Sequence, residues 1–466
     1  MRVIQIGFPT TFRPILSKET ASKEIIDNCF EKLVTYEGLK IVPCLAESWE
    51  IKDGLEYSFS IRKNVYFHNR ILLTPFLVYK SICNTLDSIN EYVFEVKGII
   101  KNIYFNDNQV VFSLKRKNTL FLHFLAMHYF SISYIENINS KDPYMIEIGT
   151  GPYFISKYEP NHAIELTSFD GYWRVLPKIK KIQITYIDSV EERKSILDNR
   201  SAEIVHCNFQ LPAHNKEYYS EIKNYSCDNF VLGFNFRKKE FNNKNIRKAF
   251  SLMFPYEEYT SRLNNEYMPL NGIVPNILLK QKKLVHQKCD LDAAEKKLKM
   301  EDFDFSKQLI LLNCKGLTYR LTALELLKRN LSLIGIKSLI VEKTWVEFLN
   351  SLDNGEFDLA YMSYAPDFAD AQCFFDAMIS ENGAISKRIG FRDSSYTNLS
   401  NKVFSELDTN KRNNLIEELN NKIINDCIYI GLVQGIDTKI IRKDFRGFVY
   451  SPFLGDYYFY DMNYSI

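Results

Sequence analysis

The stretch from Ala323 to Asp376 reads ALELLKRNLSLIGIKSLIVEKTWVEFLNSLDNGEFDLAYMSYAPDFADAQCFFD, and it decides the fold. Its first part carries an apolar residue at every third or fourth position; these residues are Ala323, Leu327, Leu331 and Ile334. This spacing predicts a helix with one buried face. Gly335 follows where a helix end needs a left-handed residue, and the β-rich run 336–341 predicts a strand after it.

A second helix and a second strand follow in the same stretch. Thr344 and Glu347 have the spacing of a capping box, which predicts that a helix begins there. One face of this helix is predicted to be apolar, with Trp345, Phe348, Leu349 and Leu352. Asn354 and Gly355 form a turn signal, and residues 357–362 then predict a buried strand.

The turn Tyr364-Ala-Pro-Asp367-Phe-Ala-Asp370 comes directly after this predicted strand. In open α/β sheets, ligands bind at the carboxyl ends of the strands. An aromatic ring beside a carboxylate suits the amino group of a ligand. The alternative is a surface loop that contains an ordinary aspartate, and spacing alone does not separate the two.

Size and charge limit the class of protein. The chain has 466 residues, which predicts about three domains or two large lobes. With 59 basic and 57 acidic residues, the net charge is only +2. A general electrostatic attraction to nucleic acid is therefore not expected.

The cysteines and the first residues of the chain give information on the cellular compartment of the protein. The nine cysteines contain no C-x-x-C pair, so we expect no zinc knuckle. Their odd, scattered count favours reduced thiols over a disulfide framework, and isolated disulfides stay open. Met1–Gly7 runs directly into a predicted strand, without the basic and apolar segments of a secretion signal. Three explanations are open: a truncated start, another export route or a cytoplasmic protein.

Motifs of known catalytic sites are absent from the sequence. It contains no H-E-x-x-H, no G-x-S-x-G and no Walker loop, and its seven histidines are dispersed. His68 is interpreted as a turn histidine and not as a metal ligand. We therefore expect no metal site, while a catalytic pair of carboxylates stays open because Asp and Glu are numerous.

A set of ordered motifs resembles the family 5 extracellular solute-binding proteins, the oligopeptide-, dipeptide- and nickel-binding receptors of ABC importers. The matching segments are Asn28–Val34 (family "niyEgLv"), Leu45–Trp49 ("LAESW"), Tyr57–Lys63 with Val65–His68, Gly149–Tyr153 ("GTGPY"), Tyr172–Trp173, Phe234–Asn235, Ile246–Ala249, Ile334–Ile336 and Trp345–Asp367. Their order and spacing agree with the family from about residue 5 to the C-terminus.

The resemblance implies an α/β fold of the periplasmic-binding-protein type. It implies two lobes of the large type II class, joined by two crossing segments and extended by a satellite domain. Lobe 1 would contain residues 1–37, 148–229 and 437–466. The satellite domain would contain residues 38–147, and lobe 2 would contain residues 230–436.

The resemblance also implies a binding function, with no enzyme activity and no cofactor, and the residues that carry it. The chain would be the substrate-binding component of an ABC importer, closing by a hinge motion over a peptide in the interlobe cleft. Asp367 would pair with the α-ammonium of the peptide, and Tyr364 would stack on the ligand. Asn235 and Phe234 would lie near the hinge, and either Arg320 or Lys315 would meet a ligand carboxylate.

Partners and location follow from the same resemblance. We expect a monomer that meets a small peptide and an importer permease, that touches the membrane only indirectly, and that binds no nucleic acid. The location would be the periplasm or cell envelope, with the cytoplasm as the alternative. Two other interpretations stay open: a cytoplasmic ligand-sensing relative, and a receptor for nickel chelate, haem or sugar.

Overall fold

The computed structural model describes residues 1–88, 91–134, 142–207, 209–263, 267–279, 288–315, 318–366, 368–450 and 457–464. The chain divides into two compact units. Unit 1 comprises Met1–Asn224 and Asp437–Ile466, and unit 2 comprises Tyr225–Ile436. The chain leaves unit 1 within the strand Tyr219–Phe234 and returns to it within the strand Tyr429–Arg442.

The elements are numbered in chain order. The strands are β1 (Arg2–Gln5), β2 (Val34–Glu37), β3 (Lys40–Pro43), β4 (Ala46–Lys52), β5 (Glu56–Ile61), β6 (Ile100–Phe105), β7 (Gln109–Leu114), β8 (Tyr153–Glu159), β9 (Ala163–Ser168), β10 (Lys181–Tyr186), β11 (Ile204–His206), β12 (Tyr219–Phe234), β13 (Met268–Pro269), β14 (Leu309–Cys314), β15 (Ser338–Lys343), β16 (Leu359–Tyr364), β17 (Tyr429–Arg442), β18 (Phe445–Arg446), β19 (Val449–Tyr450), β20 (Tyr457–Tyr458) and β21 (Asn463–Tyr464). The α-helices are α1 (Thr20–Cys29), α2 (Pro75–Leu86), α3 (Glu91–Ile99), α4 (Phe121–Leu125), α5 (Val190–Asp198), α6 (Lys244–Leu252), α7 (Tyr256–Arg262), α8 (Leu291–Met300), α9 (Thr318–Leu333), α10 (Trp345–Asn354), α11 (Ala371–Met378), α12 (Ala384–Ile389), α13 (Ser394–Ser405) and α14 (Thr409–Asp426). Short 3-10 helices occupy Pro14–Leu16, His128–Phe130, Ala213–Asn215, Lys239–Asn242 and Asn276–Leu278.

The main sheet of unit 1 has the strand order β17-β11-β1-β10-β9-β8, of which β1 is parallel to both of its neighbours. Successive residues of β1 point to opposite faces. Val3 belongs to one hydrophobic cluster and Ile4 to another, and both side chains are fully buried. The sheet is therefore covered on both faces, as parallel strands require.

A separate four-stranded antiparallel sheet lies within the range 38–147 of unit 1. Its order is β4-β5-β7-β6, and the hairpin between β6 and β7 turns at Asn106–Asn108. Tyr57, Phe59 and Ile61 of β5 are buried at every second position. This alternation is typical of a sheet with one face against a core.

The Gly149–Tyr153 motif packs against the end of α1. The Gly151 backbone N–H donates a hydrogen bond to the Cys29 carbonyl at 3.1 Å. A Cβ atom added to Gly149 would lie 2.1 Å from the same carbonyl oxygen. Only glycine therefore permits this close approach between two backbone segments. The motif is a structural turn and not a phosphate loop.

His68 links this turn to the preceding segment. Its backbone N–H donates to the Gly149 carbonyl at 2.9 Å, and its Nε2 lies 3.0 Å from the Gly151 carbonyl. The ring packs against Phe169 and Phe154, with centroids 5.2 and 5.8 Å away. Burial lowers the pKa of His68 to about 4. The histidine is held neutral in the turn, in agreement with its interpretation from the sequence.

This neutral histidine predicts acid sensitivity. The folded protein takes up the proton of His68 only near pH 4, while the unfolded chain takes it up near 6.5. The free energy of unfolding therefore has its full value above pH 6.5 and decreases as the pH falls towards 4. The expected decrease between pH 7 and pH 5 is about 2 kcal/mol. His68→Gln keeps a hydrogen-bond donor and is expected to remove this part of the pH dependence in urea titrations. If the free energy of unfolding of the variant depends on pH as steeply as that of the unmodified protein, the role of His68 is contradicted.

Unit 2 contains a sheet with the order β15-β14-β16-β12, in which β14 is parallel to β15 and β16, and β12 is antiparallel to β16. Helices α9 and α10 connect the parallel strands. Asp358, directly before β16, is almost fully buried. It fixes the pairing of β14 with β16, because its Oδ2 accepts the Ile310 N–H at 2.8 Å.

The elements predicted over 323–376 are present, with differences at their ends. The capping box of Thr344 and Glu347 forms, and Gly355 ends α10 in the left-handed region with φ 71°. Both strands begin two residues later than predicted, at Ser338 and Leu359. Trp345 and Phe348 lie on one face of α10, since their rings stack with centroids 6.0 Å apart; Phe348 is buried, whereas Trp345 is 57% exposed.

The nine cysteines are all free thiols. Arg13, in the loop after β1, forms a buried ion pair with Glu147 at 3.0 Å.

In the described part of the chain, no helix combines the length and the apolarity that crossing a membrane requires.

Candidate ligand-binding site

The predicted ligand turn follows β16 in unit 2. The Tyr364 N–H donates a hydrogen bond to Asn229 Oδ1 at 3.1 Å, and the half-buried Tyr364 ring meets Phe374 edge-on, with centroids 5.3 Å apart. Tyr364 is therefore held in place from two sides at the carboxyl end of the strand. Asp367 lies outside the described residues.

The second acid of the turn has a structural partner. Asp370 forms a bidentate ion pair with Arg412, with Oδ1 2.7 Å and Oδ2 2.8 Å from the two terminal guanidinium nitrogens. Asp370 also accepts the Gln372 N–H at 2.8 Å and so caps the N-terminus of α11. Both of its oxygens are engaged, so Asp370 anchors the turn and does not present a free carboxylate to a ligand.

Arg320 brings a buried positive charge to the same end of β16. The residue, on α9, is only 8% exposed. One terminal nitrogen donates to Ser363 Oγ at 3.2 Å, and the buried Nε has no hydrogen-bond partner. Arg320 forms no ion pair with any residue that the structure describes. Lys315, the other cation considered for this role, is exposed.

One aromatic ring lies beside the guanidinium and belongs to a larger aromatic cluster. Its central carbon lies 5.7 Å from the Tyr361 ring centroid. The Tyr361 hydroxyl is 3.2 Å from the Tyr259 hydroxyl, and Phe230 packs between Tyr361 and Tyr267. A low-dielectric setting strengthens any interaction of this charge with a ligand.

Ser363 and Tyr361 were missed from the sequence. The available signal is their period-two spacing, which places them on one face of β16 at its carboxyl end. By the same alternation, Tyr364 points to the other face. Arg320 and Tyr364 therefore lie at one end of the strand but on opposite faces of the sheet.

Asn235 and Phe234 lie at the other end of β16. In the β12–β16 ladder, Phe234 pairs with Leu359, whereas Asn229 pairs with Tyr364 five positions away. That separation is about 17 Å along the strand. The Asn235 amide donates to the Gly355 and Phe357 carbonyls at 3.0 and 2.8 Å. The structure does not bring these residues together with Tyr364 and Arg320.

Phe234 is a core residue at this other end of β16. Its ring is fully buried against Phe241 and Phe250, with centroids 5.4 and 6.1 Å away. Asn235 and Phe234 thus support the start of β16, and the chemistry available at its end is that of Arg320 and its neighbours.

A buried guanidinium with spare donors suits an anionic group, above all a carboxylate. Within the described ranges, no group of three or more potential ligands is placed to hold a metal ion.

Known proteins with similar sequence span nearly the whole chain. A haem-binding protein A of Haemophilus influenzae is 22% identical, with 96% of this chain and 89% of that protein covered. A dipeptide-binding protein of Escherichia coli is 23% identical, with 97% and 92% covered. The solved structure of HbpA2 from Haemophilus parasuis is 20% identical, with a TM-score of 0.88 and all of both chains covered. The fold is thus that of the two-lobed periplasmic binding proteins, as predicted.

The family model described as "Bacterial extracellular solute-binding proteins, family 5 Middle" matches residues 40–386, about three quarters of the chain. Binding proteins and not enzymes make up this family, which confirms the expectation of a non-catalytic protein. By this match, the chain belongs to the family 5 bacterial extracellular solute-binding proteins.

Proposed function

We propose that the protein binds short peptides and delivers them to the permease of an ABC importer. The observation that carries the proposal is the buried guanidinium of Arg320, which has no counter-ion in the described part of unit 2. The similarity to a dipeptide-binding protein supports the same ligand class. The family description supports a location in the cell envelope, where the protein would act as a monomer.

Arg320 receives the C-terminal carboxylate of the peptide. A buried charge without a partner is costly, and a ligand carboxylate removes that cost by forming charge-assisted hydrogen bonds. The guanidinium uses only one donor on Ser363, so donors remain for a carboxylate. Lys315 is less suited because an exposed ammonium keeps its hydration and gains less from pairing.

The other end of the peptide meets the turn after β16. By resemblance, Asp367 pairs with the α-ammonium, and the ring of Tyr364 packs on the ligand. A peptide lying across the carboxyl end of the strand reaches both faces of the sheet, and therefore both Tyr364 and Arg320. Asn235 and Phe234 contribute indirectly, because they fix the start of β16.

Modified peptides test the two ends separately. Calorimetry would compare an equimolar dipeptide pool with its C-terminally amidated and N-acetylated counterparts. Arg320→Gln is expected to weaken binding of the free pool about 10- to 100-fold, from about 1.5–3 kcal/mol for a charged hydrogen bond, but to leave the amidated pool little changed. Asp367→Asn is expected to show the same selectivity towards the N-acetylated pool.

A control on the same helix separates specific from general effects. Arg329 is half-exposed and paired with Glu258, so Arg329→Gln should leave affinity unchanged. Equal losses for free and amidated peptides in Arg320→Gln would contradict the assigned carboxylate contact. Native mass spectrometry that finds haem, a nickel chelate or a sugar carried through purification, with no peptide, would overturn the ligand class. Recovery of the protein with the cytosol would contradict the location.

A further inference from the structure

Unit 1 contains a cavity of about 350 Å³ that is separate from the Arg320 site. Its walls come from the end of α1, the β2–β3 hairpin, the segment 172–174 and the segment 458–461. All of these segments belong to unit 1. The volume falls within the range of small-molecule sites in proteins, at its lower end.

Asp27 supplies an unsatisfied acceptor to this cavity. The residue is 6% exposed and lines the cavity together with Lys32. Its Oδ1 pairs with the Lys32 ammonium, which is also buried. Its Oδ2 is buried and has no hydrogen-bond partner. Buried carboxylate oxygens normally accept a hydrogen bond, so a donor group of a bound molecule would satisfy this atom.

Glu31, the neighbouring acid, is fully engaged by the protein. Its carboxylate accepts hydrogen bonds from the Tyr172 hydroxyl at 2.9 Å, the Trp173 indole at 2.8 Å and the Thr150 hydroxyl at 3.0 Å. Burial raises the pKa of Glu31. Glu31 therefore joins the Gly149–Tyr153 turn to the segment after it, and it leaves no oxygen for a ligand.

Arg174 is an exposed residue at the wall of the same cavity, and its planar guanidinium can pair with a carboxylate through two donors at once. Its guanidinium lies 4.5 Å from the Trp173 ring centroid, and one nitrogen is 3.6 Å from Cys44 Sγ. Burial raises the pKa of Cys44 to about 12, so this sulfur carries no charge at neutral pH. Arg174 forms no ion pair with a residue of the described ranges.

We propose that this cavity is a second ligand site, which binds a small zwitterion of the free amino acid class. The ammonium group of the ligand donates to Asp27 Oδ2, and its carboxylate pairs with Arg174. A simple anion would leave Asp27 Oδ2 unpaired. A simple cation would leave the spare donors of the exposed Arg174 to water, because Glu31, whose charge acts on Arg174, already accepts hydrogen bonds from the protein. A zwitterion satisfies both groups and adds no net charge to a cavity that already holds the Asp27–Lys32 pair.

The chain departs from its family at this cavity. The segment Asn28–Val34 resembles the family pattern "niyEgLv", but Lys32 stands where the pattern has glycine. The long side chain of Lys32 brings the cation that pairs with Asp27 Oδ1, and Oδ2 of the same carboxylate has no hydrogen-bond partner.

The test uses the full chain with Arg320→Gln, so that binding at the proposed peptide site does not contribute. The probes are L-alanine, L-leucine, L-glutamate and L-lysine, each with its methyl ester, measured by calorimetry. At least one free amino acid is expected to bind, and Arg174→Gln is expected to weaken it about tenfold or more. The methyl ester lacks the carboxylate, so its affinity should not respond to Arg174→Gln.

A matched control and a second variant keep the test decisive. Arg200 is an exposed arginine that stacks on Tyr218 in the same unit, and Arg200→Gln should leave amino acid affinity unchanged. Asp27→Asn should weaken binding of the N-acetylated amino acid less than that of the free one; if this variant does not fold, the Arg174→Gln comparison decides alone. If none of the probes binds, or if Arg174→Gln and Arg200→Gln behave alike, the cavity holds only water and the proposal is overturned. Peptide binding by the unmodified chain would stand in either case.

Discussion

Replacing Asp370 by alanine is expected to lower the free energy of unfolding by about 3–5 kcal/mol, the usual cost of removing one partner of a buried ion pair. The side chains of Asp370 and Arg412 are only 8% and 15% exposed. Without Asp370, the Arg412 guanidinium stays largely buried, with the Val403 carbonyl as an acceptor. The helix α11 loses its N-cap in the same variant. Urea unfolding would measure the loss.

Asp393 offers a control for the cap alone. It caps α13 through the Ser395 N–H at 2.9 Å and has no ion pair among the described residues. Asp393→Ala is therefore expected to cost about 1 kcal/mol. A double variant, Asp370→Ala with Arg412→Gln, should recover part of the loss, since no buried charge remains. If Asp370→Ala costs no more than Asp393→Ala, the ion pair does not stabilise the turn.

Replacing Asp358 by alanine is expected to cost about 3 kcal/mol, near the lower end for a buried ion pair. Asp358 is 1% exposed, and its carboxylate pairs with Lys238 at 2.8 Å and Lys307 at 3.2 Å. It also accepts the Ile310 N–H, which loses this acceptor in the variant. Both lysines are partly exposed and regain water, so the expected cost is smaller than for Asp370. Denaturant titration of purified protein would check it.

Two further variants show whether the cost of Asp358→Ala comes from the charge and from its burial. Asp358→Asn keeps an oxygen for Ile310 N–H and loses only the charge, so its cost should be clearly smaller. Asp353→Ala removes a carboxylate that is 58% exposed and paired with Arg388, which should cost less than about 1 kcal/mol. Similar losses in Asp353→Ala and Asp358→Ala would show that burial of the pair is unimportant.

The local elements between Ala323 and Asp376 were predictable because their signals are local. The capping box and the left-handed Gly355 depend on residues within one helical turn. The strand ends were not predictable, since a strand extends as far as its neighbours offer hydrogen bonds. β15 follows the full length of β14, from Leu309↔Ser338 to Cys314↔Lys343, and this pairing sets its bounds.

The site was predicted only in part. Tyr364 and Arg320 do lie at one end of β16, while Asn235 and Phe234 lie at the other. The sequence treated Phe234 and Asn235 as hinge residues, but the antiparallel ladder places them opposite the start of β16. The partner of Asp370 is 42 residues away in sequence, and no local pattern selects Arg412 among the basic residues of the chain.

The sequence by itself determined the family, the succession of helices and strands, and the segment that holds the turn after β16. Those properties rest on periodicity, caps and ordered motifs, which neighbouring residues encode together. Only the tertiary structure decided which charges are paired: Asp370 with Arg412, Asp358 with two lysines, and Arg320 with no described carboxylate. The reason is physical, because the energy of a charge depends on its burial and on partners that are distant in the chain.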